Sequence, residues 1–201
     1  MIKVTRKTTE SIMQVTIMPS PVAEDYRKAI VTPLPFLSHM IEHIVWRSGL
    51  NISATVKTSD FYLTHVICED LGITLGKALG EYLKREGNLF GYGNAIGIID
   101  EARAFCGMSF ESRAYFGIEG KDVPDQVEGM ASEDLAAFLE GIAQGANMTL
   151  QINVEKGVNA HHIWEAVFRG VGRALCEAFK PVPGRENMTA GVAGAVEFII
   201  E

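Results

Sequence analysis

A short pattern of residues occurs twice in this chain of 201 residues, once in each half. Five residues recur at a constant offset of 96 positions, within a stretch of 15 residues. They are His65, Glu69, Gly76, Ala78 and Leu79 in the first half, and His161, Glu165, Gly172, Ala174 and Leu175 in the second. Chance produces one or two such matches but not five, so the chain is predicted to be a duplication. We expect two repeats, about 1–90 and 91–201, packed as one α+β domain.

The order of predicted elements is the same in both halves. In the first half, the apolar periodicity predicts strands over 11–17 and 28–32, a helix over 36–46, a strand over 51–58 and a helix over 65–84. In the second half it predicts strands around 96–110 and 113–117, a helix over 132–145, a strand over 148–154 and a helix over 160–179. The Gly-rich stretch 87–97 between the halves is predicted to be a loop.

Charge and composition exclude several classes of protein. The 18 Lys and Arg against 25 Asp and Glu give a net charge of -7, which is the wrong sign for neutralising nucleic-acid phosphates. With 47% hydrophobic residues and no run of about 18 uncharged apolar residues, we expect a globular protein and no membrane partner. The first ten residues lack the apolar core of a signal peptide, and the three cysteines form no CxxC motif. These features predict a cytoplasmic protein without disulfides.

Histidine and glutamate are spaced for metal binding in the repeated pattern. His65 and Glu69 lie four residues apart on one predicted helix, and His161 and Glu165 lie four apart on the equivalent helix. Residues at this spacing share a helix face and can reach one ion. One such pair alone is more often a surface ion pair, but two at equivalent positions favour metal sites. His162 diverges from His161 by about 100 degrees, so the two rings are expected to serve different sites.

These segments resemble the signatures of the imidazoleglycerol-phosphate dehydratase family. PFLSHMI, HVICEDLGITLGKAL and NAHHIWEAVFRGVGRAL are similar to the family's FLDHM, HHTxEDxGIxLGxAL and NxHHxxEAxFKAxARAL, and RKTTES near the start is similar to its RxTxET. The resemblance implies a ribosomal protein S5 domain 2-like fold, in which two repeated half-domains form a sheet with helices packed on one face. It also implies a hydro-lyase of histidine biosynthesis that dehydrates imidazole glycerol phosphate, with manganese as cofactor. The implied assembly is a homo-oligomer of 24 subunits or one built from trimers.

Two positions depart from the family's metal-binding pattern. Val66 stands where the family has the second histidine of HHTxED, and Ala137 stands where it has the histidine of an HFF motif. By pseudo-symmetry of the repeats, one complete site is expected from His39, His65, Glu69 and His162. Both losses then fall in the other site, which leaves His161 and Glu165 as half a site. This reasoning predicts one good metal site per chain, and iron or zinc would suit its donors as well as manganese.

The resemblance also implies residues for substrate binding and proton transfer. Arg113 matches an arginine that binds phosphate in the family, whereas Gly91 stands where a second such arginine is expected. Glu10 matches the active-site glutamate of RxTxET, so it is expected to bind substrate or move protons. Taken alone, Glu10 could equally be an exposed carboxylate at a strand edge. The carboxylates of Glu69 and Glu165 are further candidates for catalytic proton transfer.

Two questions stay open at the level of sequence. His43, one turn after His39, is either a replacement ligand or a histidine on the helix surface, and the surface position is the simpler interpretation. The departures also allow other functions. The chain could be a diverged paralogue with another small polar substrate, or a non-catalytic protein in which an ion joins subunits.

Overall fold

The structure is a computed structural model, and it describes all residues except 60, 61, 187, 193, 195–198, 200 and 201. The first half contains β1 (Ile2–Lys7), β2 (Ser11–Met18), a 3₁₀ helix (Tyr26–Ala29), β3 (Ile30–Val31), α1 (Pro35–Ser48), β4 (Asn51–Thr58) and α2 (Thr64–Glu86). The second half contains β5 (Tyr92–Ile99), β6 (Ala102–Ser109), β7 (Tyr115–Gly120), β8 (Gln126–Val127), β9 (Met130–Ala131), α3 (Ser132–Ala146), β10 (Thr149–Lys156) and α4 (Ala160–Ala178).

The two halves have the same sheet topology. The first sheet has the strand order β1-β2-β4-β3, and the second has the order β5-β6-β10-β7. In each sheet the first three strands pair antiparallel, and the last strand pairs parallel to its neighbour. One helix precedes and one follows the third strand of each sheet, β4 or β10. The predicted α+β fold of two repeated half-domains is therefore confirmed, with a separate four-stranded sheet in each half.

The helices cover one face of each sheet. On β2, the side chains of Met13, Val15 and Ile17 are fully buried, while those between them are exposed or partly exposed. This alternation is typical of strands with one face in the core. Helix α2 packs on β1 and β2, and α4 packs on β5 and β6. On the opposite face of β5, Ile96 and Ile98 are exposed.

Each helix pairs with a helix of the other repeat. Helix α2 packs along α3, and α1 packs along α4. Glycines allow the backbones to come close, because a Cβ at Gly76 of α2 would overlap the carbonyl of Ile142 in α3. Similarly, a Cβ at Gly172 of α4 would lie 3.0 Å from the carbonyl oxygen of His43 in α1. This exchange of partners determines which of the repeated histidines can meet.

The structure corrects two of the predicted elements. The predicted loop 87–97 is strand from Tyr92 onward. Its glycines serve close packing there, since a Cβ at Gly93 or Gly97 would overlap the backbone carbonyls of α4. The sequence analysis also missed β1, where two apolar residues, Ile2 and Val4, alternate with charged and polar ones. The division into repeats of about 1–90 and 91–201 within one domain stays a prediction.

We predict that Gly97→Ala destabilises the fold, whereas Gly107→Ala in the neighbouring strand does not. The added methyl group at position 97 would meet the backbone of α4 at Ala166 and Gly170, which cannot move aside like a side chain. At position 107 it meets only the ring of Phe105, at 3.3 Å. Urea denaturation should give a loss of about 1–3 kcal/mol for Gly97→Ala, the usual cost of overpacking. Equal stability of the two variants would contradict the strand-on-helix packing.

Candidate metal centre

The first turn of α4 carries two adjacent histidines that an asparagine holds in place. Asn159 is the N-cap of this helix, and its side-chain oxygen accepts hydrogen bonds from the backbone N–H groups of His161, at 2.8 Å, and His162, at 3.4 Å. Such a cap satisfies N–H groups that have no partner within the helix. The helix therefore starts at a defined residue, and the two imidazoles leave it in different directions.

His161 points toward α1 and joins a cluster of side chains there. Its Nε2 lies 3.2 Å from Oε2 of Glu165, one turn further along α4. From α1, His43 Nε2 lies 3.3 Å from Oε1 of Glu165, and His39 Nε2 lies 3.7 Å from Oε2. The Nε2 atoms of His39 and His43 are 3.4 Å apart. We call His39, His43, His161 and Glu165 the α1–α4 cluster.

Further polar contacts fix the orientation of the α1–α4 cluster. His161 Nδ1 lies 3.0 Å from Oε1 of Glu128, and His39 Nδ1 lies 3.6 Å from Oε2 of Glu42. A carboxylate at Nδ1 favours a proton on that nitrogen and leaves the Nε2 lone pair free to act as an acceptor or ligand. Arg169 forms an ion pair with Oε1 of Glu165 and donates a hydrogen bond to the carbonyl of Ile98.

Burial and charge shift the pKa values in this cluster in a consistent direction. Glu165 is buried, which by itself raises the pKa of its carboxyl group. Electrostatic interactions with His43, Arg169, His39 and His161 outweigh burial, so the pKa of Glu165 is lowered. Burial lowers the pKa of His43 to about 4, although the charge of Glu165 acts in the opposite direction. At neutral pH the cluster therefore combines an anionic carboxylate with a neutral imidazole, the forms that bind metals.

The equivalent pair on α2 has different surroundings. His65 is exposed, and its Nδ1 lies 3.2 Å from Oδ1 of Asp134, which is on α3. Glu69 is partly buried one turn later on α2. Ala137 also lies on α3, the helix that packs against α2. The lost histidine position thus belongs to the helix pair that carries His65.

His162 has its own acidic partners at the turn between β5 and β6. Its Nδ1 lies 2.8 Å from Oε2 of Glu101, and its Nε2 lies 3.7 Å from Oδ2 of Asp100. The hydrogen bond to Glu101 raises the pKa of His162. Hydrogen bonds from the backbone of Asn159 and from His162 lower the pKa of Glu101 to about 2. His161 and His162 therefore face different groups.

The residues predicted to bind substrate lie on the surface of the chain. Glu10 is exposed beside β2 and lines a small cavity together with Tyr62 and Val66. Arg113 is exposed after β6, and its Nη2 lies 3.1 Å from Oε2 of Glu111. The contacts of the α1–α4 cluster involve neither of them.

The helix pairing groups the predicted ligands differently from the sequence analysis. In one chain, His39 lies with His161 and Glu165, because α1 packs against α4 rather than against α2. The predicted set of His39, His65, Glu69 and His162 is not brought together in one chain. That set stays a prediction for an assembly of several chains. The sequence analysis gave His43 too little weight, although its spacing of four residues from His39 matches that of the other pairs.

The donor atoms of the α1–α4 cluster suit a divalent metal ion. Across the residues that the structure describes, one group of at least three His, Cys, Asp or Glu donors lies within 4.8 Å of one another, and it consists of His39, His43 and Glu165. Imidazole nitrogens with one carboxylate oxygen bind zinc, iron and manganese. The residues present therefore fit a metal of this class, while they do not distinguish among its members.

Comparison with known proteins identifies the family. The sequence model of imidazoleglycerol-phosphate dehydratase matches residues 32–175, which include α1, α3 and nearly all of α4. The chain belongs to the imidazoleglycerol-phosphate dehydratase family. Members of this family are hydro-lyases of histidine biosynthesis. The resemblance inferred from the motifs is thereby confirmed.

Relatives of this family align over most of the chain. The imidazoleglycerol-phosphate dehydratase of Geobacillus sp. is 36% identical over 163 residues, covering 78% of this chain and 84% of its own. That of Saccharolobus islandicus strain M.16.27 is 31% identical over 191 residues, covering 94% and 96%. The crystal structure of the Pyrococcus furiosus family member, in complex with (S)-C348, has a TM-score of 0.80 and 32% identity and covers 96% of this chain and 99% of its own.

Over the described part of the chain, no helix combines the length and the hydropathy that a membrane crossing requires.

We predict that the cap of α4 contributes measurably to stability. Asn159→Ala removes the acceptor for two backbone N–H groups at the start of the helix. Its free energy of unfolding should fall by about 1 kcal/mol in urea denaturation, while Asn159→Asp, an equally good cap, should stay close to wild type. Two variants of equal stability would show that the side chain of Asn159 does not hold the histidine-bearing turn.

Proposed function

We propose that the chain is a metal-dependent hydro-lyase that removes water from imidazole glycerol phosphate to give imidazole acetol phosphate in cytoplasmic histidine biosynthesis. The observation that carries this proposal is the meeting of His39 with His161 and Glu165 between α1 and α4. These residues come from three separate positions in the family's motifs, and the Nε2 atoms of both histidines lie within 3.7 Å of Oε2 of Glu165. A set of ion pairs without function would have no reason to occupy those positions.

The metal is proposed to be manganese, with iron and zinc as chemically similar choices. His39, His161 and Glu165 would hold it, and it would supply the positive charge that stabilises the anion formed when a proton leaves carbon. Neighbouring groups keep Glu165 in the ionised form that binds a metal. Arg169 forms an ion pair with Oε1, and the lowered pKa keeps the carboxylate ionised at neutral pH. Glu165 is therefore better suited to binding than to donating a proton.

The other proposed roles belong to surface residues. Dehydration removes a proton from one carbon and hydroxide from its neighbour, so a group that accepts a proton is needed. Glu10 is proposed for this task, or for positioning the substrate, because its carboxylate is exposed at the start of β2. Arg113 is proposed to bind the phosphate. In the structure, Arg113 forms an exposed ion pair with Glu111. Exposed ion pairs contribute little free energy, so Arg113 can exchange Glu111 for a phosphate anion at little cost.

The second group of family residues is proposed to act where chains meet. His65, Glu69 and His162 lie apart from the α1–α4 cluster in one chain, so a shared ion would require more than one chain. This is consistent with a homo-oligomer of 24 subunits or one built from trimers. Because the histidine positions corresponding to Val66 and Ala137 are lost, we propose that one ion per chain is bound well and that the second site is degraded.

One observation favours a diverged paralogue with another small polar substrate. Gly91 stands where the family has a phosphate-binding arginine, and it adopts a φ of +69°. A Cβ at this position would overlap the Cβ of Ala190, so the C-terminal part of the chain occupies the space of a longer side chain. The phosphate of imidazole glycerol phosphate would then lose one of its donors.

We predict that the purified protein dehydrates imidazole glycerol phosphate when loaded with Mn²⁺, and that chelation of the metal abolishes the activity. Glu165→Gln should lower kcat/KM by at least about 100-fold, since it removes the anionic ligand. Glu140→Gln is the matched control, because Glu140 is exposed on α3 and contacts Gln144 of the same helix. This variant should have wild-type activity.

The outcome of this assay separates the proposals. A folded, metal-loaded protein without turnover would contradict the proposed substrate and leave the paralogue with a different polar substrate. Turnover that survives complete removal of the metal would contradict metal dependence. Turnover in Glu165→Gln at the wild-type rate would contradict the proposed role of Glu165.

A further inference from the structure

His43 is the residue of the α1–α4 cluster that the sequence analysis did not assign to a metal. Its imidazole is mostly buried, with 16% of the side chain exposed, and it lies in contact with His39 and Glu165. A histidine on the helix surface, the simpler interpretation of the sequence, would instead extend into solvent. His43 therefore requires a structural explanation.

We infer that His43 is a metal ligand and that His39, His43 and Glu165, three donors of a single chain, hold the ion, with His161 beside Glu165. This inference rests on the proposed metal dependence and extends it. It assigns a further ligand, and it makes binding of this ion independent of a second subunit.

The separations within the cluster match those between ligands of one ion. Two nitrogens that bind an ion at about 2.1 Å in a tetrahedral arrangement lie about 3.4 Å apart. The Nε2 atoms of His39 and His43 are 3.4 Å apart, and the carboxylate of Glu165 lies within 3.7 Å of both. A hydrogen bond between the two rings would explain one of these distances, but it would leave the convergence of both rings on Glu165 unexplained.

Contacts with neighbouring charged residues also orient the ligand side chains toward one ion. Glu128 and Glu42 lie near the Nδ1 atoms of His161 and His39, on the side away from Glu165. Arg169 forms an ion pair with Oε1 of Glu165, and Oε2 faces His39 and His161. Outer carboxylates of this kind are usual around metal sites.

Gly172 places His43 within reach of this group. It lies seven residues after Glu165, so it shares the same face of α4. A Cβ at Gly172 would lie 3.0 Å from the carbonyl oxygen of His43 and the Cα of Ile44. Because Gly172 has no side chain, the backbone of α1 comes close to α4 at His43.

The site is complete without Val66, where the family has a histidine. A ligand from the same chain would supply what that position has lost.

The test is a titration of the full, metal-free protein with Co²⁺, whose visible absorption depends on its ligands. We expect one tight Co²⁺ per chain. His43→Ala should weaken this binding by about 100-fold or more, since even the loss of an outer hydrogen-bond partner costs 10–100-fold. His43→Gln keeps a side chain of similar length and is therefore less prone to a folding defect than His43→Ala. Thermal unfolding of both variants measures whether such a defect is present. His43→Gln should also lose the tight site.

His65→Ala is the matched control, because His65 lies on α2 and contacts Asp134 rather than the cluster. It should keep the tight Co²⁺ and its spectrum. Tight binding that survives in folded His43→Gln would overturn the assignment of His43. Loss of the tight site in His65→Ala, with His43→Gln unaffected, would also overturn it and assign the ion to the set shared between chains.

Mixed chains test the claim that one chain supplies all ligands. When His39→Ala and His43→Ala chains are expressed together, no tight site should be restored, because each chain lacks one of its own ligands. Restored binding would show that the donors come from different chains. These readouts need no turnover. Cobalt bound through His43 by a protein inactive on imidazole glycerol phosphate would therefore keep this inference while contradicting the proposed substrate.

Discussion

The close packing of α1 against α4 determines which functional side chains can act together. Helix α1 supplies His39 and His43, and α4 supplies His161 and Glu165. Gly172 allows this approach because it has no side chain between the two backbones. If α1 packed on another helix, the carboxylate of Glu165 would be buried without the imidazoles that offset its burial. An unpaired buried carboxylate is costly, so the cluster and the helix packing support each other.

The duplication gives two similar helix pairs, but their chemistry has diverged. Helices α1 and α4 bring three histidines and a glutamate together, whereas α2 and α3 bring His65 to Asp134 and have alanine at position 137. The pairs cross between repeats, so a change in one helix affects a site whose other half lies in the second repeat. This arrangement explains how a chain can lose ligand positions in both halves and still keep one compact group of donors.

Much of the fold follows from the sequence because it depends on local periodicity. The repeated identities predict two equivalent halves, and the strand over 51–58 and the helix over 132–146 match their predicted ranges within one residue. The divergence of His161 from His162 follows from the geometry of a helix and agrees with their separate partners. These features require no knowledge of how the elements pack.

The rest depended on contacts between distant residues. The sequence predicts Gly93 and Gly97 to be loop residues, but they lie in a strand that packs on α4. The partner of His39 could not be derived from spacing, since two helices carry the same His and Glu pattern and only packing selects α4. The sequence favoured a surface position for His43 for the same reason. Its burial comes from the other repeat and leaves no trace in the periodicity of α1.

The most direct test of this account is a crystal structure of the manganese-soaked protein, with anomalous diffraction measured at the manganese edge. The account predicts a peak among His39, His43, His161 and Glu165 of one chain. Peaks confined to the neighbourhood of His65 and Glu69, with none between α1 and α4, would contradict it.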